Sequence, residues 1–98
     1  MDYSIKISRS ARLEINSAIS WYNEQKPKLG DNFLLSFESK IQFIKSFPQA
    51  SPFFLKDKGV RYKFISTFPY IIYYKVTGNT IVILAVLHTS KERNESVY

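Results

Sequence analysis

The chain has 98 residues, 45% of them hydrophobic and 16% aromatic, and carries a formal charge of +6. One core fits in that length, so residues 1–98 are expected to form a single domain, and the composition excludes a disordered tail. No apolar run approaches the roughly 20 residues that cross a bilayer, cysteine is absent, and the lone His88 cannot build a multi-imidazole metal site.

The N-terminus, MDYSIKISRS, lacks the continuous apolar stretch of a secretion signal, so a cytoplasmic protein without membrane contact, metal or cofactor is expected. Within it, Tyr3 to Ile7 alternates apolar and polar residues, as a strand with one buried face does. Ser8 or Ser10 can cap a following helix over Ala11 to Gln25, where Ala11, Ile15, Ala18, Ile19 and Tyr22 form an apolar stripe. Trp21 and Tyr22 are adjacent, so only one of them can face the core. Pro27 and Gly30 break this helix, and Asp31 is the predicted N-cap of a second one carrying Leu34, Phe37, Ile41 and Ile44 until Pro48.

The stretch from Ser46 to Gly59 reads as a loop in which Phe53, Phe54 and Leu55 anchor to the core. Three strands follow closely: Val60 to Ile65, Tyr70 to Val76, and Thr80 to His88. They are rich in β-branched and aromatic residues, and Gly78-Asn79 supplies the hairpin turn between the last two. The pattern predicts an α+β domain of order β-α-α-β-β-β, with a two-helix hairpin on one face of a small twisted antiparallel sheet and the other face partly open.

Charge is uneven along the chain. Residues 1–50 hold seven Lys/Arg against five Asp/Glu, and residues 51–98 hold seven against three, so the sheet half is basic and attracts anionic partners. Arg61 and Lys63 fall on one strand face and are candidates for target contact, although Arg61 can equally pair with Glu38 or bind loop carbonyls. His88 can act as acid or base near neutral pH, but a hydrogen-bonded strand-end histidine is the commoner situation. Tyr73 and Tyr74 must point to opposite sheet faces.

Taken in order, WYNEQKPKLGDNFL, the Arg of GVRYKF, FPYIIYYKV and VILAVLH resemble the RelE/ParE superfamily of toxins from type II toxin–antitoxin systems over about residues 3–93. The FPY followed by a Tyr-rich strand, and the strand ending in VLH, look closer to ParE-like proteins, also called plasmid stabilization proteins. That resemblance implies a bacterial growth inhibitor directed at DNA gyrase and neutralised by an adjacently encoded, acidic antitoxin in a hetero-oligomer. Contact with DNA would then be indirect, through the antitoxin. By the same resemblance Trp21, Tyr22 and Tyr74 are antitoxin-binding candidates, and Arg61, Lys63, His88 and Lys91 are target-binding candidates. The alternative is a RelE-like, metal-independent nuclease cutting mRNA on the ribosome. In that case Lys91, Arg93 and Tyr98 of the tail KERNESVY are the catalytic candidates. Ile71 stands where RelE-like sequences carry a catalytic Arg, which weighs toward an inhibitor without catalysis. ParE-like chains commonly continue after VLH with a small residue and Arg, whereas this one has Thr89, Ser90 and Lys91, and a degenerate, non-toxic homologue is a third reading.

Overall fold

The computed structural model describes residues 2–91. The elements are β1 (Ser4–Ile7), α1 (Arg9–Gln25), α2 (Leu29–Ser46), β2 (Phe53–Leu55), a 3-10 turn (Lys56–Lys58), β3 (Val60–Ile65), β4 (Tyr70–Thr77) and β5 (Thr80–His88). The strands form one sheet in the order β1-β5-β4-β3-β2. The expected α+β arrangement of two helices on one sheet face is present, with two differences in the sheet. β1 joins β5 in parallel, pairing Ser4 with Thr80 and Ile7 with Ile83, so the sheet is mixed. The long crossover through both helices permits that direction, which a tight hairpin does not. The segment expected to be all loop also contributes the short strand β2, antiparallel to β3.

α1 begins at Ser8, whose Oγ accepts from the Ala11 amide at 3.1 Å, as the cap expectation required. Ala11, Ile15, Ala18 and Tyr22 turn inward, while Trp21 stays 55% exposed. The second helix departs from expectation at its start. It begins at Leu29, after Lys28 in a left-handed conformation (φ 70°), so Asp31 lies in the first turn and is not the cap. Gly30 lies inside this helix because α1 and α2 approach there. A Cβ on Gly30 would run into the Ile19 carbonyl and the Asn23 side chain, and the Gly30 amide donates to Asn23 Oδ1 at 2.7 Å.

Between helices and sheet, the core packs Ala11, Ile15, Phe33, Phe37, Ile44, Ile72, Tyr74 and Ile83. Tyr22, Phe33, Phe68 and Tyr70 meet edge-on or stacked, with centroids 4.9 to 6.2 Å apart, geometries that add to plain area burial. The helix-free face holds a second apolar cluster of Val60, Ile71, Tyr73, Ala85 and Leu87, bordered by Phe54, Tyr62 and Leu84. Ile71 and Tyr73 are only 2% and 1% exposed there, so this face is less open than its sequence pattern implies.

In an exposed helix interior, alanine stabilises by about 1 kcal/mol relative to glycine. At Gly30 the sign should reverse, since the added methyl meets backbone that cannot yield. Gly30→Ala is expected to lower stability by about 1–3 kcal/mol in urea unfolding. A variant as stable as the parent would remove the helix contact as the reason for this glycine.

Candidate functional site

Two flanks of the molecule carry the residues singled out in the sequence. The first is a cleft between α1 and β5. β1 covers β5 only as far as Ile83, and a bulge follows, because Tyr74 pairs with Ile83 while Tyr73 pairs with Ala85, leaving Leu84 as the extra residue. α1 takes over the uncovered edge: the Ser8 hydroxyl donates to the Leu84 carbonyl at 3.1 Å, and Glu14 Oε1 accepts from the Val86 amide at 2.9 Å. Beyond them opens a cleft of about 370 Å³ bordered by Leu13, Trp21, Tyr70, Leu87, His88 and Lys91. Leu13 and Trp21 are 58% and 55% exposed, two apolar groups along α1 left largely uncovered by the described residues.

His88 stands at the end of this cleft. Its Nδ1 accepts from the Ser90 amide at 3.0 Å and lies 2.8 Å from Ser90 Oγ, and its ring meets Tyr70 edge-on at 5.3 Å. Because the amide can only donate, Nδ1 is the acceptor and the ring proton sits on Nε2. This is the hydrogen-bonded strand-end histidine that the sequence favoured.

On the second flank, Arg61 and Lys63 leave β3 on the helix side, as their alternation predicts. Arg61 Nη1 donates to the carbonyls of Gln49 (3.1 Å) and Ser51 (2.7 Å), and its guanidinium sits 3.9 Å above the Phe53 ring. Of the two structural roles foreseen for it, carbonyl binding is the one realised. Lys63 Nζ lies 4.1 Å over the Phe43 ring of α2. The two cations thus pack over separate aromatic rings. Tyr74, 0% exposed, donates its hydroxyl to the Pro48 carbonyl at 2.8 Å. Burial pushes that phenol above its ordinary pKa, against the neighbouring Ser51 and the positive charge of Arg61.

The profile of a protein family described as "ParE toxin of type II toxin-antitoxin system, parDE" matches residues 5–93. The chain belongs to the ParE toxin family. Among solved structures, a chain of the chromosomal ParDE toxin–antitoxin system from P. aeruginosa superposes with a TM-score of 0.77 at 18% identity, covering 88% of this chain and 95% of that one. No curated protein matches significantly.

As a ParE family member, the chain distributes its candidate residues unevenly. Trp21 is on the surface, but Tyr22 and Tyr74 are core residues with 9% and 0% exposure, so a partner that touched them would have to open the core. Lys91 borders the α1–β5 cleft with His88, whereas Arg61 and Lys63 are on the other flank, so the four target-binding candidates do not converge. Arg93 and Tyr98 lie outside the described residues. No described helix is long and apolar enough to cross a membrane. Sequence reading passed over Glu14, because a lone acid on a polar helix face looks solvated; nothing local signals that the α1 face meets a bare strand edge.

Burial raises the pKa of Glu14, opposed by the hydrogen bond from Val86 and by the charge of Lys91. A carboxyl whose pKa is higher folded than unfolded contributes most below its unfolded value and loses that contribution as pH rises through the folded one. Glu14→Gln keeps an oxygen for Val86 and removes the titration. Its stability should therefore fall less than the parent's in urea unfolding as pH rises above the ordinary Glu value of about 4.3. Glu14→Ala should lose about 1–3 kcal/mol at any pH, since the Val86 amide is left unpaired. An unchanged slope in the Gln variant would exclude Glu14 as the titrating group.

Proposed function

We propose that this ParE family member is a growth-inhibiting toxin that works by binding, with DNA gyrase as its target, and that an acidic antitoxin holds it inactive. The observation that carries the reading is the chemistry of the helix-free face around Ile71. Phe53, Phe54, Tyr62, Phe64, Ile71 and Tyr73 line the cleft of about 370 Å³ there, with no cation among them. In-line cleavage of RNA by its 2′-hydroxyl needs cations against the developing phosphorane charge and a proton acceptor near the hydroxyl. The described lining of this aromatic cleft supplies no such cation, but it suits protein contact, where Phe and Tyr are favoured.

The antitoxin reading draws on the α1–β5 cleft. Leu13 and Trp21 offer apolar anchors at helical spacing, and the +6 charge of the chain favours an acidic partner. Of the three antitoxin candidates, Trp21 is the one that offers its side chain to such a partner without any change in the core. The localisation that fits both partners is the cytoplasm.

The experiment is induced expression in a bacterial host lacking antitoxin, with pulse labelling of DNA and protein synthesis. DNA synthesis should fall first, with filamentous cells and intact transcripts, and Lys91→Ala should remain free of any mRNA-cleavage phenotype to lose. Early arrest of protein synthesis with transcripts cut at codons would replace this reading by the RelE-like nuclease. Unimpaired growth would replace it by the degenerate homologue.

A further inference from the structure

β2 covers only the first half of β3. Phe53 pairs with Arg61 and Leu55 with Val60, and the last bond on that side runs from the Tyr62 amide to the Pro52 carbonyl at 3.1 Å. Residues of an antiparallel strand alternate in directing their amide and carbonyl toward one neighbour or the other. Tyr62 directs its amide away from β4, so Phe64 does the same, and the Phe64 N–H and C=O lie on an edge that β2 does not reach. α2 runs alongside. Two open clefts of about 400 and 320 Å³ follow this edge, Lys40 and Ser66 lining both. Lys63 and Phe43 border the first, and Leu35 the second. Apolar surface brackets the edge on both sides: Phe64 is 54% exposed on the helix-free side, and Leu35 is 65% exposed on α2.

We propose that the free half of β3 is a strand-addition site, and that its occupant is an extended segment of the inhibited target protein in which acidic and apolar residues alternate. The proposal rests on the inhibitor reading above. An incoming strand would bond the Phe64 N–H and C=O, and its side chains would fall alternately on the two sheet faces. On the helix side they would meet the Lys40 and Lys63 ammoniums, which calls for carboxylates. On the other side they would meet Tyr62 and Phe64, which calls for apolar groups. A second copy of this chain fits poorly, because edge-to-edge pairing of β3 brings Lys63 toward its own copy. The antitoxin has its apolar seat on α1, on the opposite flank from this edge. Soluble proteins often guard a sheet edge with a lysine; here Lys63 lies against the Phe43 ring, which leaves the Phe64 backbone unguarded.

The test uses the full chain and an end-blocked peptide of alternating Glu and Val. Bound peptide should slow hydrogen exchange of the Phe64 amide at least about tenfold, as expected for a new ladder bond. An alternating Lys-Val peptide should not bind, nor should the Glu-Val peptide N-methylated on its edge-facing amides, a control that needs no variant. Lys40→Glu with Lys63→Glu should weaken peptide binding at least about tenfold, remain folded with a cooperative unfolding transition despite losing the Lys63–Phe43 contact, and abolish growth arrest on expression. Unchanged Phe64 exchange at saturating peptide would overturn strand addition. Full growth arrest by the folded double variant would overturn the target as occupant and pass the edge to the antitoxin or another partner. If the parent itself arrests no growth, the inhibitor reading falls, while the exchange measurement still decides the edge.

Discussion

Everything on the α1 side of this molecule depends on how the second half of β5 is covered. β1 ends at Ile7 and its pairing at Ile83, yet β5 continues to His88. The backbone groups past the bulge would stand bare, and an unpaired buried amide costs about 1–3 kcal/mol. α1 meets that demand from its own first turns. Ser8 serves both elements at once, capping the helix through its oxygen and giving its proton to Leu84. Glu14, two turns on, reaches Val86. These contacts fix the angle at which α1 leaves the sheet, and with it the cleft in which Trp21, Tyr70, His88 and Lys91 meet. The position of α2 follows from α1, because Gly30 lets the two helices touch backbone to side chain at Asn23.

What the sequence revealed, and what it concealed, divide along that line. Helix stripes and strand alternation are local periodicities, so Ala11, Ile15, Ala18 and Tyr22 on one helix, and the alternating faces of β3 and β4, could be read directly. Gly30 reads as a breaker because a glycine needed for close approach looks the same in sequence as one that ends a helix. The parallel direction of β1 is set by a crossover of two helices, which leaves no mark on the four residues concerned. β2 was hidden by its length: three residues beside a proline resemble a loop until Arg61 is seen holding the Gln49 and Ser51 carbonyls next to them.

Arg61 and Lys63 illustrate why a shared strand face does not amount to a shared site. Both side chains settle over aromatic rings, an arrangement worth about 0.5–1 kcal/mol each where partly exposed. Arg61 spends one guanidinium nitrogen on two carbonyls that shape residues 49–53, so replacing it disturbs the loop as well as the charge. Among the described residues Lys63 has only the ring beneath it, and its ammonium keeps its three protons for a partner in the cleft beside Lys40. Of the two cations, Lys63 is therefore the one whose substitution reports on binding with little structural confusion.

On the inhibitor reading proposed above, charge and apolar surface divide the work of docking between them. Cations border the clefts on the two flanks, Lys91 beside α1 and Lys40 with Lys63 beside α2, while the helix-free face between them is aromatic. Charges spread around a rim act over distance, raising the rate at which an acidic surface finds the protein and weakening with salt. Apolar groups such as Trp21 and Phe64 act only on contact and govern how long the complex lasts. A catalyst would need its cations gathered within reach of one scissile bond. Dispersed as they are over opposite flanks, the described cations fit the binding role proposed above: they can guide a large partner in, while the apolar contacts hold it.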